Sequence, residues 1–128
     1  MKLLADTCAF LWMATAPDKL SGRARKALVD PENNIYLSAA SVVEICIKHG
    51  LGQLLLPDGP STWIPEARGR YQLEALALDE LAALRMATLP SVHRDPFDRM
   101  LVCQALAYDL TIVTSDAAFP KYGVKTLW

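Results

Sequence analysis

Short apolar runs alternate with amphipathic segments along the whole chain. The apolar runs predict strands at residues 2–6, 35–37, 73–78, 111–114 and 124–127. Between them, apolar residues at helical spacing predict helices over residues 7–14, 21–30, 38–49, 62–71, 79–88 and 96–108. Such alternation is typical of βαβ units, so we expect a mainly parallel sheet lying between helices. Residues 115–122 are expected to form a loop or a short helix.

The composition indicates a single folded domain without an overall basic charge. The chain has 128 residues, which is the size of one domain, so we expect a single domain over residues 1–128. Hydrophobic residues make up 52% and charged residues 21%, a balance that buries a core and excludes a disordered chain. The net charge of −1 means that any contact with nucleic acid depends on local basic patches.

The three cysteines and the first residues indicate the compartment. Cys8, Cys46 and Cys103 lack CxxC spacing and lie in apolar stretches, so we interpret them as buried residues of a protein in a reducing compartment. Asp6 interrupts the first apolar run, which argues against a signal peptide. No run approaches the roughly 20 apolar residues of a membrane span. We therefore expect a cytoplasmic protein that does not associate with a membrane.

Two acidic residues follow predicted strands. Asp6 comes at the end of the first strand, and Asp116 lies just past the strand TIVT. Open parallel sheets bind ligands outside the carboxyl ends of their strands, so both carboxylates are candidates for one shared crevice. The alternative for each is that it only caps the following helix or turn.

Glu44 lies in the apolar helical segment SAASVVEICIK. One interpretation is an exposed i,i+4 ion pair with Lys48, which stabilises a helix by about 0.3–0.5 kcal/mol. The other is a carboxylate that points into the protein, where burial without a cation is costly. Ser38 and Ser41 are candidate capping residues of this helix, and Ser41 is also a candidate neighbour of the site.

The segment HRDPFDR begins the most apolar predicted helix. Asp95 is placed as the N-cap, Pro96 as the first helical residue and Asp98 as the third. Acidic residues at these positions stabilise a helix N-terminus without any further role. Because the helix that follows is apolar almost all round, Asp98 is expected at the rim of the core. We predict Asp98 as a metal ligand and Asp95 as a cap or a residue behind the ligands.

The expected donors are carboxylate oxygens, which select hard cations, so we predict Mg²⁺, with Mn²⁺ as the other possibility. His49 and His93 are far apart in the sequence and are interpreted as structural or surface residues. A metal held in this way activates a water and neutralises charge on a phosphodiester. The predicted catalytic and metal-binding residues are Asp6, Glu44, Asp98 and Asp116.

Four sequence blocks resemble the PIN-domain family, and in particular the VapC-type toxins of toxin–antitoxin systems. The blocks are LLADTCAFLW, LSAASVVEICIKHGLGQL, HRDPFDRMLVCQA and TIVTSDAAF, and the resemblance covers nearly the whole chain. The family's acidic residues fall on Asp6, Glu44, Asp98 and Asp116. Thr7 and Thr114 fall where similar proteins carry small polar residues beside the metal.

This resemblance implies a three-layer α/β/α sandwich with a mainly parallel sheet of four to five strands. It also implies a Mg²⁺-dependent endoribonuclease that forms a homodimer and is inhibited by a cognate antitoxin protein. One departure is visible, because Cys8 stands where many similar sequences have histidine. That departure removes an imidazole but leaves the four acidic residues in place.

An RNA substrate would need positive charge near the acidic residues. Lys48 and His49 end the Glu44 helix, and Arg94 and Arg99 flank the DPFD segment. These residues are candidates for phosphate contacts, which give affinity without sequence information. Ordinary solvated charges are the equal alternative for each of them.

Three other functions remain open at this point. A receiver-like signalling module is also a small α/β domain with Asp residues and Mg²⁺, but here the mid-chain acid, Glu44, lies in a helix and TSD presents an Asp where a Lys is wanted. A phosphatase with a nucleophilic Asp6 usually has a second acid two residues later, where this chain has Cys8. The last is a catalytically inactive, nucleic-acid-binding PIN protein.

Overall fold

The computed structural model describes residues 1–128 and contains one five-stranded sheet. The strands are β1 (Lys2–Ala5), β2 (Asn34–Ser38), β3 (Glu74–Leu76), β4 (Thr111–Val113) and β5 (Lys125–Leu127). Every pair of neighbouring strands is parallel, and the order across the sheet is β3-β2-β1-β4-β5. The predicted parallel sheet is therefore confirmed, with five strands.

Six α-helices cover the two faces of this sheet. They are α1 (Thr7–Thr15), α2 (Gly22–Val29), α3 (Ala39–Gly50), α4 (Pro60–Arg70), α5 (Glu80–Leu84) and α6 (Pro96–Tyr108). Alternate residues of β1 point to opposite faces, so Leu3 and Ala5 pack in one hydrophobic cluster and Leu4 in the other. The first cluster contains buried residues of α1, α2 and α4, and the second those of α6. These layers confirm the α/β/α sandwich.

Several helix ends differ from the prediction for local reasons. The prediction ends α3 at residue 49, just before Gly50, but Gly50 is the last residue of this helix, and Gly52 takes the left-handed conformation (φ 72°). The N–H groups of Gly52 and Gln53 then bond back to the carbonyls of His49 and Lys48, which is a Schellman motif. The helix predicted over residues 79–88 is divided into α5 and a 3₁₀ turn at Arg85–Ala87.

The end of α4 explains why β3 is shorter than the predicted strand at 73–78. Gln72 has a positive φ of 57°, and the Leu73 N–H bonds back to the Arg68 carbonyl. Leu73 is thus part of the helix-ending motif, and the strand begins only at Glu74. The remaining short turns are 3₁₀ helices at Pro17–Lys19 and Phe119–Tyr122.

The cysteine prediction is correct for one residue of three. Cys103 is fully buried in α6, whereas Cys8 and Cys46 are exposed. Both exposed cysteines lie on helices whose apolar character extends beyond the face that packs on the core. No helix combines the length and the apolar character that crossing a membrane requires.

The order of the strands places a crevice in the middle of the sheet. From β1 the chain moves outward through β2 and β3, and it then returns to the other side of β1 with β4 and β5. The carboxyl ends of β1 and β4 therefore flank the point where the order reverses, which is where such sheets bind ligands. Receiver domains have the order 2-1-3-4-5, so the observed order contradicts the receiver-like alternative.

Candidate metal centre

Asp6 lies directly after β1 and at the start of α1. Its Oδ1 accepts a hydrogen bond of 2.7 Å from the Ala9 N–H, so Asp6 is the N-cap of α1. The residue is only 8% exposed. Burial raises the pKa of Asp6, and the neighbouring charges of Asp116 and Glu44 add to this, against hydrogen bonds from Thr114 and Ala9. Asp6 thus caps its helix and also belongs to a group of acidic residues.

Glu44 projects from the middle of α3 and is 5% exposed. The Thr7 hydroxyl donates to its Oε1 at 2.7 Å, and the Lys48 ammonium donates to its Oε2 at 2.6 Å. The hydroxyls of Thr7 and Ser41 lie 2.9 Å apart. Glu44 therefore combines both interpretations of the sequence, since it is buried and also pairs with Lys48. The hydrogen bond to Glu44 raises the pKa of Lys48.

Asp98 is half-buried at the third position of α6. Asp95 is the N-cap, as predicted, and its Oδ1 accepts a 2.8 Å hydrogen bond from the Phe97 N–H. Burial and the charge of Asp95 raise the pKa of Asp98 to about 6, and Glu44 and Asp6 contribute in the same direction. Asp98 is thus close enough to Asp6 and Glu44 for their charges to disfavour its ionised form.

Asp116 follows β4 and is held in place at both carboxylate oxygens. The Ala118 N–H donates to Oδ1 at 2.9 Å, and His93 Nε2 lies 2.8 Å from Oδ2. Its own N–H bonds to the Thr114 hydroxyl at 3.0 Å. Burial alone would raise the pKa of Asp116, but the hydrogen bonds from His93 and Ala118 outweigh it and lower the pKa. Its side chain is 43% exposed, so Asp116 faces the open side of the crevice.

His93 is the neighbour of these residues that the sequence interpretation missed. Ligand atoms of His93, Asp98 and Asp116 all lie within 4.8 Å of one another. Its side chain is only 10% exposed. The histidine was set aside as isolated in the sequence, although it stands two residues before Asp95 in the HRDPFD segment. That proximity was the available signal.

The basic residues that the sequence suggested for phosphate contacts differ in their bonding partners. Lys48 is paired with Glu44 at the site. Arg94 is exposed and makes no ion pair. Arg99 donates from Nη1 to the Pro90 carbonyl at 2.8 Å and from Nη2 to the Leu89 carbonyl at 3.3 Å, so its guanidinium holds the loop before α6.

The donor set fits a hard divalent cation. The carboxylates come from the ends of β1, α6 and β4 and from the middle of α3, and one ammonium, that of Lys48, is paired among them. Mutual repulsion and burial leave Asp98 with a raised pKa. A cation among these oxygens would relieve both penalties, and oxygen-rich sites of this kind suit Mg²⁺ or Mn²⁺.

The PIN domain family model matches residues 3–125, which is nearly the whole chain. The chain belongs to the PIN domain family. Members of the PIN family are generally nucleases, which supports a hydrolase that acts on nucleic acid. The matched range contains all four acidic residues of the centre. No curated protein sequence matches the chain.

Solved structures of bacterial VapBC proteins have a similar fold. VapBC2 from Rickettsia felis, bound to a promoter DNA fragment, is 15% identical with a TM-score of 0.73 over 98% of this chain and 97% of that chain. DNA-bound VapBC from Salmonella typhimurium is 18% identical, with a TM-score of 0.71 over 98% and 96% of the two chains. VapBC-1 from nontypeable Haemophilus influenzae is 15% identical, with a TM-score of 0.60 over 98% and 96%. At these identities the likeness shows a shared fold.

Proposed function

We propose that this PIN domain is a Mg²⁺-dependent endoribonuclease that acts as the toxin of a toxin–antitoxin pair. The observation that carries the proposal is that Asp6, Glu44 and Asp98, which are far apart in sequence, lie close enough for the charge of Glu44 to raise the pKa of Asp6 and of Asp98. Folding alone gains nothing from such repulsion. A site that binds a divalent cation accounts for it.

The acidic residues have different proposed roles. Asp6, Glu44 and Asp98 would hold the cation directly, and Asp116, which is more exposed, would act on it through water. When bound, the cation would activate a water for attack on phosphorus and neutralise charge on the leaving oxygen. Mn²⁺ is expected to replace Mg²⁺, because both prefer oxygen ligands.

Polar side chains behind the carboxylates would fix their orientation. Thr7, with Ser41 beside it, donates to Glu44, and the Thr114 hydroxyl bonds to Asp6 and accepts from the Asp116 N–H. Asp95 would act on the site by starting α6 at the correct residue. The removal of such outer contacts commonly lowers metal affinity by about 10- to 100-fold.

An RNA strand would be guided by nearby positive charge. Arg94 is exposed beside the start of α6 and is the best placed for a phosphate contact. Lys48 would contact phosphate once a cation has taken over the charge of Glu44. Arg99 contributes mainly by holding the loop at Leu89 and Pro90, and any phosphate contact from it would be weaker.

The toxin role rests on the fold shared with VapBC proteins. We propose a cognate antitoxin protein as the partner, a homodimer as the assembled form and the cytoplasm as the compartment. An antitoxin with a basic segment would suit the acidic crevice.

The activity is tested by incubating purified protein with RNA and Mg²⁺ or Mn²⁺. We expect cleavage that is lost in Asp6→Asn and Asp98→Asn. Asp18→Asn is the matched control, because Asp18 is a fully exposed acid paired only with Arg25. Cleavage in excess chelator, or cleavage by the first two variants, would rule the mechanism out. Metal-dependent RNA binding without any cleavage would instead support the inactive, nucleic-acid-binding alternative.

The toxin role needs a separate test in cells. Expression of the wild-type chain without an antitoxin is expected to stop growth, and Asp98→Asn at the same protein level is expected to permit it. Mapping of RNA 5′ ends shortly after induction would identify the substrate. Normal growth with abundant folded wild-type protein contradicts the toxin role while leaving the ribonuclease activity to the biochemical assay.

A further inference from the structure

His93 makes hydrogen-bonding contacts with both ring nitrogens and with its backbone. Its Nε2 lies 2.8 Å from Asp116 Oδ2, and its Nδ1 lies 2.9 Å from the Tyr122 hydroxyl. The same hydroxyl accepts a 2.7 Å hydrogen bond from the His93 N–H. The His93 ring is parallel to the Tyr122 ring within 5°, at a centroid distance of 5.5 Å, and the Phe119 ring lies 4.8 Å away. The imidazole is therefore fixed in position and in rotation.

We infer that His93 is a positioning residue for Asp116, with its tautomer set by the Asp116 carboxylate and supported by the Tyr122 hydroxyl. This inference rests on the proposed function for its catalytic meaning, since it concerns the same centre. It does not rest on that function for its chemistry, which follows from the hydrogen-bond partners alone.

The partners determine where the imidazole proton lies. An ionised carboxylate only accepts hydrogen bonds, so the contact between Nε2 and Asp116 requires a proton on Nε2. In the neutral ring Nδ1 then has a lone pair and needs a donor. The Tyr122 hydroxyl already accepts from the His93 N–H, and its own proton is free to point at Nδ1. The Asp116 carboxylate therefore selects the Nε2–H form, and the Tyr122 hydroxyl completes it by donating to Nδ1.

This tautomer has two consequences for Asp116. The carboxylate is held by the Nε2–H at Oδ2 and by the Ala118 N–H at Oδ1, which fixes its plane at the mouth of the crevice. In addition, the proton on Nε2 occupies the lone pair with which an imidazole binds a metal. The centre thus keeps an oxygen-only donor set, which favours Mg²⁺ and Mn²⁺ over Zn²⁺, although a histidine lies within reach of Asp98.

The tautomer is tested directly by ¹⁵N NMR of His93 in the wild-type protein at pH 8. We expect a protonated Nε2 and an unprotonated Nδ1. The opposite pattern overturns the inference. This measurement needs no substitution, so it does not depend on whether a variant folds.

The positioning role is tested with a set of variants and Mn²⁺ titration by calorimetry. His93→Gln keeps a donor near the position of Nε2, and we expect its affinity to stay within about threefold of wild type. His93→Leu removes the donor, and we expect a loss of roughly tenfold, typical of an outer hydrogen bond to a ligand. His49→Leu, the other histidine of the chain, is the matched control and should bind as wild type does. Equal losses in His93→Gln and His93→Leu would mean that the ring matters only for packing, which overturns the inference.

Tyr122→Phe separates the support that the hydroxyl gives to this tautomer from ring packing. Removal of the hydroxyl leaves the stacked ring but takes away the donor to Nδ1, so the preference for Mn²⁺ over Zn²⁺ is expected to fall. Pulsed EPR of the wild-type Mn²⁺ complex tests whether an imidazole nitrogen binds the metal directly. Direct binding by the His93 nitrogen would overturn the inference. If RNA cleavage fails while these metal affinities follow the expected order, the proposed function fails and the positioning role stands.

Discussion

Asp98 and Asp116 are chemically identical and only a few ångströms apart, yet their surroundings move their pKa values in opposite directions. Burial and neighbouring acidic residues raise the pKa of Asp98 to about 6, whereas hydrogen bonds from His93 and Ala118 lower that of Asp116. Neighbouring carboxyl groups whose pKa values are shifted in opposite directions are typical of functional sites. At neutral pH the first carboxylate therefore gains most from a cation.

The raised pKa of Asp98 predicts how pH affects the metal-free protein. The folded state binds this proton more tightly than the unfolded state, whose value is near 3.8, so stability falls as the pH rises through about 6. Asp98→Asn removes this penalty. In chelator at pH 8 we expect the variant to be more stable than wild type by roughly 1 kcal/mol, after allowance for the partial exposure of Asp98.

Thermal unfolding in chelator at pH 8 and at pH 4 measures this difference. Near pH 4 the wild-type carboxyl is protonated in the folded state, so the two proteins should differ much less. A difference that is the same at both pH values would show that the substitution acts through packing or through the end of α6, and not through charge.

The ion pair between Lys48 and Glu44 predicts a competition between ammonium and metal. Lys48→Gln removes a positive charge from a proposed metal ligand, so we expect Mn²⁺ to bind about two- to fivefold more tightly, the effect of an ion pair whose ammonium is half exposed. Lys125→Gln is the matched control, since Lys125 pairs with Asp109 in an exposed position away from the centre. Unchanged affinity in Lys48→Gln, measured by calorimetry, contradicts the competition.

At the scale of elements, two helices end in the same motif with different residues in the left-handed position. Gly52 has this position after α3, and Gln72 has it after α4. A side chain is unfavourable there because its Cβ approaches the backbone, at a cost of about 1 kcal/mol. We expect Gly52→Ala to destabilise the protein by about 1 kcal/mol and Gln72→Gly to stabilise it by a similar or smaller amount. Urea unfolding of the two variants measures both changes in the free energy of unfolding. If the two variants change it in the same direction, the left-handed conformation does not explain the effect.

Much of the fold could be predicted because its signals are local. Asp6 follows an apolar run and Asp95 precedes a proline, so the sequence alone predicts that each lies at the start of a helix. The apolar neighbours of Glu44 in the sequence indicate that it is buried. Gly52 was missed because Gly50 is an equally plausible stop, and only the bonds of the last turn distinguish them. His93 was missed because its partner Asp116 lies 23 residues away and no periodic pattern connects them.

At the scale of the whole molecule, a bound cation should stabilise the fold. A ligand that binds only the folded state at 100 times its Kd contributes about 2.7 kcal/mol. For this chain we expect Mg²⁺ or Mn²⁺ to raise the Tm by about 5–10 °C. The rise should be lost in Asp6→Asn, retained in Asp18→Asn and reversed by chelator. An equal rise in Asp6→Asn, measured by differential scanning fluorimetry, would place the cation elsewhere.

The position of β1 between β2 and β4 also affects the chain during its synthesis. The centre joins Asp6, which directly follows β1, to Asp98 in α6 and to Asp116 after β4, both of which are synthesised much later. Until β4 has left the ribosome, β1 lacks its second neighbour and the crevice has one wall. Under the proposed function, a ribosome that has not yet released β4 would therefore carry an inactive chain, and its own RNA would meet a complete centre only after β4 has emerged.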